Sequence, residues 1–193
     1  MSEIELMIDG KEIVAERGQT VLEVASENGI DIPTHCYKKP YEPAGFCRIC
    51  VVEVQTSGGK PELQTACTYP AQEGLEVKTN TERVKKSRKL TAELMLARCP
   101  DSEAVKELAE EVGVKKTRFS KKNKDCTLCG LCVRACKTVS GDNIITFVGR
   151  GPDRKLITPF ELSPEECKGC GACAEVCPTK VIEMVEIEEV EEK

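Results

Sequence analysis

Cysteine is the residue type with the clearest chemical role in this sequence. The chain of 193 residues contains 13 cysteines, no tryptophan and only four phenylalanines. By their spacing, twelve of the cysteines fall into three sets of four, and Cys99 is left over. Because thiolates bind iron and zinc, we expect metal sites to stabilise a fold that has few large apolar side chains.

Two of the three sets repeat one motif. Both follow the spacing C-x2-C-x2-C-x3-C, with glycine inside the loop at Gly130 in the first run and at Gly169 and Gly171 in the second. Three thiolates so close together on a glycine-containing loop can reach different irons of one cubane, which is typical of two-cluster ferredoxins. In those proteins the fourth cysteine of each run binds the other cluster. The resemblance therefore implies one 4Fe–4S cluster on Cys126, Cys129, Cys132 and Cys177, and another on Cys136, Cys167, Cys170 and Cys173.

The third set lies upstream, with the looser spacing C-x10-C-x2-C-x16-C. Its members are Cys36, Cys47, Cys50 and Cys67. This spacing alone indicates a metal site without specifying the metal.

Zinc is the alternative metal for the two repeated runs, although zinc sites usually pair two C-x2-C knuckles across a longer loop. His35, the only histidine, adjoins Cys36, and we expect it to be a loop side chain because four cysteines already complete the site.

Composition excludes several classes of function. The net charge of −5 gives no support to nucleic-acid binding as the main task. There is no apolar run long enough to cross a bilayer, and residues 1–16 lack the basic flank and apolar centre of a secretory signal. We therefore expect a cytoplasmic protein without membrane insertion. In the cytosol thiols stay reduced, which favours metal binding over disulfides.

The N-terminal region predicts a small sheet with one helix. Asp9-Gly10 is a dipeptide favoured for a two-residue hairpin turn, and Thr20 with Glu23 forms a capping box for a helix that ends at Gly29. β-Branched and alternating runs predict strands on either side of these signals. The predicted strands are 3–8, 11–16, 48–55, 62–66 and 76–79.

The remainder of the chain predicts a helical linker and a second cysteine-rich module. A helix over 82–97 and a second one, capped by Asp101 or Ser102 and ended by Gly113, form the linker. Between the two repeated cysteine runs, residues 144–148 and 156–160 predict a β-hairpin. The expected domains are 1–80, 81–120 and 121–193, and the fold class is α+β.

Several segments resemble the N-terminal part of the large iron–sulfur subunit of respiratory complex I and of soluble NAD-linked hydrogenases and dehydrogenases. They are Ile30–Tyr37, Gly45–Val54, Thr81–Arg88 and Phe147–Arg154, together with Cys67. The resemblance covers nearly the whole chain. It implies a β-grasp ferredoxin domain at the N-terminus, in which Cys36, Cys47, Cys50 and Cys67 bind a 2Fe–2S cluster, followed by the bacterial-type two-cluster 4Fe–4S domain with an inserted hairpin.

The sequence departs from this family in one respect. Many relatives carry a His-x3-Cys-x2-Cys-x5-Cys motif for a further 4Fe–4S cluster, where this chain has Cys99-Pro100 and no other cysteine before Cys126. We expect that cluster to be absent. A relic ligand and a reactive thiol are alternatives for Cys99, which we expect to be a buried small hydrophobe.

Function follows from what such clusters do. Each passes one electron at a time, and the sequence offers no evident flavin, nicotinamide or substrate site. The resemblance implies a non-catalytic electron-transfer subunit that works with a separate flavin- and NAD(P)-binding subunit, further redox subunits and ferredoxin. The missing motif and the end of the chain after the second cysteine run favour a soluble, oxygen-avoiding, electron-bifurcating hydrogenase, formate dehydrogenase or transhydrogenase. A freely diffusing carrier and a redox sensor are the alternatives.

Two charged segments add smaller expectations. Residues 115–124 contain six Lys or Arg residues and predict a solvated linker, with docking of an acidic partner as the alternative. The tail 181–193 is rich in glutamate and predicts a frayed end or a strand completed by another subunit.

Overall fold

The computed structural model describes residues 3–158 and 166–185. The chain divides into two compact units, Met1–Cys129 and Gly130–Lys193. Most of the tail, residues 186–193, and the predicted end of the hairpin at Phe160 lie outside the described residues. The mixed α+β fold class predicted from the sequence is confirmed.

A five-stranded mixed sheet forms the centre of the first unit. Its spatial order is β2-β1-β5-β3-β4, with β1 parallel to β5 and the other neighbours antiparallel. The helix α1, Val21–Glu27, follows the first hairpin. The strands are β1 (Glu3–Ile8), β2 (Lys11–Glu16), β3 (Val51–Gln55), β4 (Glu62–Thr65) and β5 (Glu76–Lys78).

Strict alternation of buried and exposed side chains explains why β1 faces the core with one side only. Ile4, Leu6 and Ile8 are buried, whereas the residues between them are exposed. Asp9 and Gly10 both adopt positive φ, as a two-residue type I′ turn requires. The Asp9 carboxylate also accepts hydrogen bonds from the backbone N–H and the hydroxyl of Thr79, which fixes the turn against the end of β5.

The predicted capping box of α1 is present. The Thr20 hydroxyl accepts from the Glu23 backbone N–H, and the Glu23 carboxylate accepts from the Thr20 backbone N–H. The hydrogen bond from the Thr20 backbone N–H is also the main reason why the pKa of the Glu23 carboxyl group is lowered. The capped helix buries Val21 and Val24 in the same apolar core as the inner face of the sheet.

A second apolar core is formed by α2, Glu82–Arg98, and α3, Glu103–Glu111. Its buried residues on these helices include Ala92, Leu96, Val105 and Leu108. Ile49, which lies between Cys47 and Cys50, belongs to this core and is fully buried. The helical pair therefore supports the cysteine loop from a side that the sheet does not cover.

Two local predictions need correction. The third strand begins at Val51 and not at Arg48, because Arg48 has φ of 61°, a left-handed conformation that cannot continue a strand. Ser102 occupies the N-cap position of α3, but its buried hydroxyl makes no capping hydrogen bond. The helix starts there because of its packing into the second core rather than because of a cap.

The second unit is built around two short helices. They are α4, Leu131–Val139, and α5, Ala172–Glu175, which pack against each other. Between them in sequence, β6 (Thr146–Val148) and β7 (Lys155–Ile157) form an antiparallel pair. None of the helices within the described ranges has the length and hydrophobicity required to cross a lipid bilayer.

We predict that Ile49→Ala lowers the free energy of unfolding by about 3 kcal/mol, because it removes a fully buried side chain and leaves a cavity. Urea denaturation followed by circular dichroism measures the change. Leu94→Ala is the control, since Leu94 lies on α2 with its side chain half exposed and should change stability by less than about 0.5 kcal/mol. Equal effects of the two substitutions would contradict the supporting role of the second core.

Candidate metal centres

The first cysteine set is assembled from three segments of the first unit. Cys36 and Cys47 lie in the long loop after α1, Cys50 directly precedes β3, and Cys67 follows β4. Cys36, Cys50 and Cys67 are at most 2% exposed, and Cys47 is half-buried. The fold of the first unit thus places four cysteines from three separate segments in one region.

These four thiols meet in two pairs. The Cys47 backbone N–H donates to Cys36 Sγ at 3.4 Å, and a thiol hydrogen bond to Cys36 raises the pKa of Cys47. Hydrogen bonding between Cys67 and Cys50 raises the pKa of Cys67 and lowers that of Cys50 to about 7. Metal binding replaces such shared protons, because only the thiolate is a ligand. This buried donor set, made only of sulfur, fits an iron–sulfur cluster.

His35, which precedes Cys36, forms a hydrogen bond with Thr127. Its ring Nε2 lies 2.9 Å from the Thr127 hydroxyl oxygen. Burial lowers the pKa of His35 to about 4, so the imidazole is neutral at pH 7. The neighbour of Cys36 is therefore hydrogen-bonded to the neighbour of Cys126.

The first repeated run begins in the first unit and continues on α4 of the second. Cys126 is fixed by two contacts, since the Leu128 N–H donates to its Sγ at 3.4 Å and the Arg98 Nε donates to its carbonyl oxygen at 2.6 Å. Cys132 and Cys136 lie one helical turn apart on α4 and are both buried. N–H donation to a ligand sulfur is one of the interactions that tune an iron–sulfur centre.

The two repeated runs have the same backbone conformation at the same motif positions. In the first run φ is 59° at Leu128 and 71° at Gly130, and in the second it is 64° at Gly169 and 71° at Gly171. Gly130 and Gly171 are also the N-cap residues of α4 and α5, so the third cysteine of each run enters a helix. The repeat in sequence is therefore a repeat in structure.

The fourth cysteine of the first run lies on a helix that packs against the helix of the second run. Cys136 is on α4 and Cys173 is on α5. Burial is the main cause of a raised pKa at Cys173. Cys136 and Cys177 each have a hydroxyl 3.6 Å from Sγ, from Ser140 and Thr179 respectively. Crossed ligation requires such packing, because Cys136 and Cys173 would then bind the same cluster.

Two further observations concern metal binding in the described residues. In 3–158 and 166–185, no three His, Cys, Asp or Glu side chains are grouped as ligands of a single metal ion.

Cys99 lies in the second apolar core with 1% exposure, and burial raises its pKa to about 11. As the sequence predicted, it is a buried small side chain.

Sequence reasoning missed three residues around these centres. Leu128 has a left-handed backbone although it is not glycine. Arg98 on α2 donates a hydrogen bond to Cys126, and Thr127 is hydrogen-bonded to His35 in the loop that carries Cys36. The only available signal for Leu128 was its alignment with Gly169 in the repeat. Nothing in the sequence pattern indicates the contacts of Arg98 and Thr127.

Comparison with protein families divides the chain at the same two cysteine-rich regions. Residues 1–82 match the 2Fe-2S iron-sulfur cluster binding domain, and residues 125–181 match the 4Fe-4S dicluster domain. These matches cover all twelve of the cysteines in the three sets.

Longer proteins are similar over most of this chain. The NADPH-Fe(3+) oxidoreductase subunit alpha of Geobacter sulfurreducens is 33% identical over 91% of this chain and 23% of its own length. The NADP-reducing hydrogenase subunit HndD of Solidesulfovibrio fructosivorans is 32% identical over 93% of this chain and 36% of its own. The chain thus spans only about a quarter to a third of these relatives.

A solved structure of comparable size is also similar. A chain in the crystal structure of NAD+-reducing [NiFe]-hydrogenase in the H2-reduced state superposes with a TM-score of 0.71 and 30% sequence identity. The match covers 82% of this chain and 76% of that one.

The left-handed loop backbone gives a testable consequence. We predict that Gly169→Ala lowers the free energy of unfolding by about 1 kcal/mol, because a side chain is disfavoured at φ of 64°. An added Cβ meets no protein atom within 4 Å, so among contacts with the protein the cost is one of backbone conformation. Anaerobic urea denaturation measures it, with Glu175→Ala at an exposed position of α5 as the control. An unchanged or higher stability of Gly169→Ala would refute this conformation.

Proposed function

Because the chain belongs to the family of iron–sulfur electron-transfer subunits of NAD(P)-linked oxidoreductases and hydrogenases, we propose that it conducts electrons through three clusters. The proposed 2Fe–2S ligands are Cys36, Cys47, Cys50 and Cys67. One proposed 4Fe–4S cluster is bound by Cys126, Cys129, Cys132 and Cys177, and the other by Cys136, Cys167, Cys170 and Cys173.

The observation that carries this proposal is the shared backbone geometry of the two repeated runs. The two cysteine loops have the same backbone conformation, because φ is positive at both equivalent positions of each loop. These positions are Leu128 and Gly130 in the first run and Gly169 and Gly171 in the second. A single tetrahedral ion uses four ligands and has no need of two such loops with three cysteines each. The packing of α4, which carries Cys136, against α5, which carries Cys173, supports the crossed assignment of the fourth ligand.

Conduction, rather than catalysis, is the role that such a chain can perform. A nicotinamide gives up two electrons together as hydride, whereas each iron–sulfur cluster accepts one electron. A flavin is the cofactor that divides the pair. We therefore propose a separate subunit that binds flavin and NAD(P), from which this chain takes electrons or to which it delivers them.

The proposed assembly is a cytoplasmic, oxygen-avoiding complex of the electron-bifurcating kind. Hydrogenase, formate dehydrogenase and transhydrogenase activities are each compatible with a subunit of this kind, with ferredoxin as a further electron partner. The motif for a histidine-ligated cluster is missing between the two ferredoxin modules, which supports this type of assembly over the respiratory one.

Anaerobic purification of the tagged chain from its native host tests the proposed function. We expect about ten iron and ten acid-labile sulfide atoms per chain, two from the 2Fe–2S cluster and four from each 4Fe–4S cluster. We also expect a flavin-containing subunit to co-purify and NAD(P)H to reduce the clusters of the complex. Zinc in place of iron and sulfide would overturn the proposal. A stable monomer that reduces separate enzymes would instead support the freely diffusing carrier.

Crossed ligation gives a prediction for single cysteines. Cys136→Ser should abolish or alter the cluster of the second run, because its fourth thiolate is replaced by a weaker oxygen ligand. Cys177→Ser should do the same to the cluster of the first run. Electron paramagnetic resonance of the dithionite-reduced protein resolves the two signals, and Cys99→Ala is the control that should retain all clusters. Loss of the cluster on the same run as the mutated cysteine would refute the crossed assignment.

A further inference from the structure

A partly buried hydrogen bond joins the neighbours of two proposed cluster ligands. His35 Nε2 and Thr127 Oγ1 are 2.9 Å apart, and the two residues are 92 positions apart in the sequence. His35 is only 8% exposed. Because a hydroxyl both donates and accepts, this bond forms with either tautomer of the neutral imidazole.

The covalent neighbours give this bond its significance. His35 is bonded directly to Cys36, and Thr127 directly to Cys126. Cys36 belongs to the proposed 2Fe–2S set, and Cys126 is the first cysteine of the proposed 4Fe–4S sets. The imidazole and the hydroxyl therefore form a continuous path of covalent bonds and one hydrogen bond between two ligand residues.

Both ends of the path are held in position. The Cys36 sulfur accepts the Cys47 N–H at 3.4 Å, and the Cys126 sulfur accepts the Leu128 N–H at the same distance. Arg98, the last residue of α2, donates to the Cys126 carbonyl oxygen at 2.6 Å. A hydrogen bond between two fixed loops keeps a constant geometry, which a contact between mobile loops does not.

We propose that the His35–Thr127 hydrogen bond couples the 2Fe–2S centre electronically to the 4Fe–4S centre that contains Cys126. This inference rests on the proposed function. One electron leaves one cluster, which is oxidised, and enters the other, which is reduced, so no other reactant is required. The bond keeps its proton throughout. Electron tunnelling is faster along bonded atoms than across an open gap, and this bond closes the gap between the two loops.

A purely structural clamp is the competing explanation, and the two differ in what a variant changes. Loss of a clamp lowers stability without slowing electron transfer in molecules that still hold both clusters. Loss of an electronic connection slows transfer in those same molecules. The measurement must therefore detect only molecules that hold both clusters. Spectroscopic signals of the reduced clusters meet this condition.

The test compares matched variants of the full chain with reconstituted clusters. Thr127→Val has nearly the same shape but no hydroxyl, whereas Thr127→Ser keeps the hydroxyl. His35→Leu removes the bond from the other side. Thr68→Val is the control, because Thr68 follows the proposed ligand Cys67 as Thr127 follows Cys126. The Thr68 hydroxyl bonds locally to Thr65, at 2.7 Å from the Thr65 hydroxyl and 3.3 Å from the Thr65 carbonyl oxygen. Iron and sulfide assays establish cluster content in each protein.

The measurements are the rate of electron redistribution after pulsed one-electron reduction and the spin relaxation of the reduced 2Fe–2S signal. We expect Thr127→Val and His35→Leu to slow redistribution by about tenfold, because two groups no longer held at hydrogen-bond distance lose their fixed orientation. Thr127→Ser and Thr68→Val should stay close to the parent protein. Equal rates in Thr127→Val and Thr127→Ser at normal cluster content would overturn the inference. Absence of clusters in the parent chain would overturn the proposed function instead.

Discussion

Sulfur ligands have to converge on a small inorganic cluster, and the chain meets this requirement by leaving regular secondary structure wherever a cysteine run begins. Residues with positive φ stand next to the cysteines, as at Arg48, Leu128 and Gly169. Such loops give up the hydrogen-bond ladders that stabilise strands and helices. The surrounding elements must therefore hold them, and the arrangement of the first unit is best understood as support for its loops.

The helix α2 is the main element of this support. Arg88 donates two hydrogen bonds to the Val51 carbonyl oxygen at the start of β3, and Arg98 donates one to Cys126. Between these two contacts, α2 and α3 form the apolar core that encloses Ile49. One helix is thus fixed at its middle beside Cys50 and at its end beside Cys126. The linker between the two ferredoxin modules is therefore part of the scaffold of the first unit.

Sequence reasoning succeeded where the determining signals are local. Alternating side chains and the Asp9-Gly10 turn define β1 and β2, and Thr20 with Glu23 defines the start of α1. It failed where contacts join distant segments, because His35 and Thr127 have no pattern that predicts their meeting. It also missed the left-handed backbone of Leu128, since leucine disfavours this conformation and only the repeat itself required it. Local turns and helix caps can thus be predicted from the sequence, whereas the contacts around the cysteines cannot.

The two repeated runs share one backbone geometry but lie in different surroundings. Cys129 and Cys132 of the first run are at most 8% exposed, whereas Cys167 and Cys170 of the second are exposed. Lys168, between those two exposed cysteines, donates to the Ser140 carbonyl oxygen and forms an ion pair with Asp142. Reduction adds negative charge to a cluster, and solvent and a nearby ammonium stabilise that charge better than an apolar environment does. The two loops of one repeated motif therefore differ in solvent exposure and in neighbouring charge, which are two of the factors that set the reduction potential of an iron–sulfur cluster.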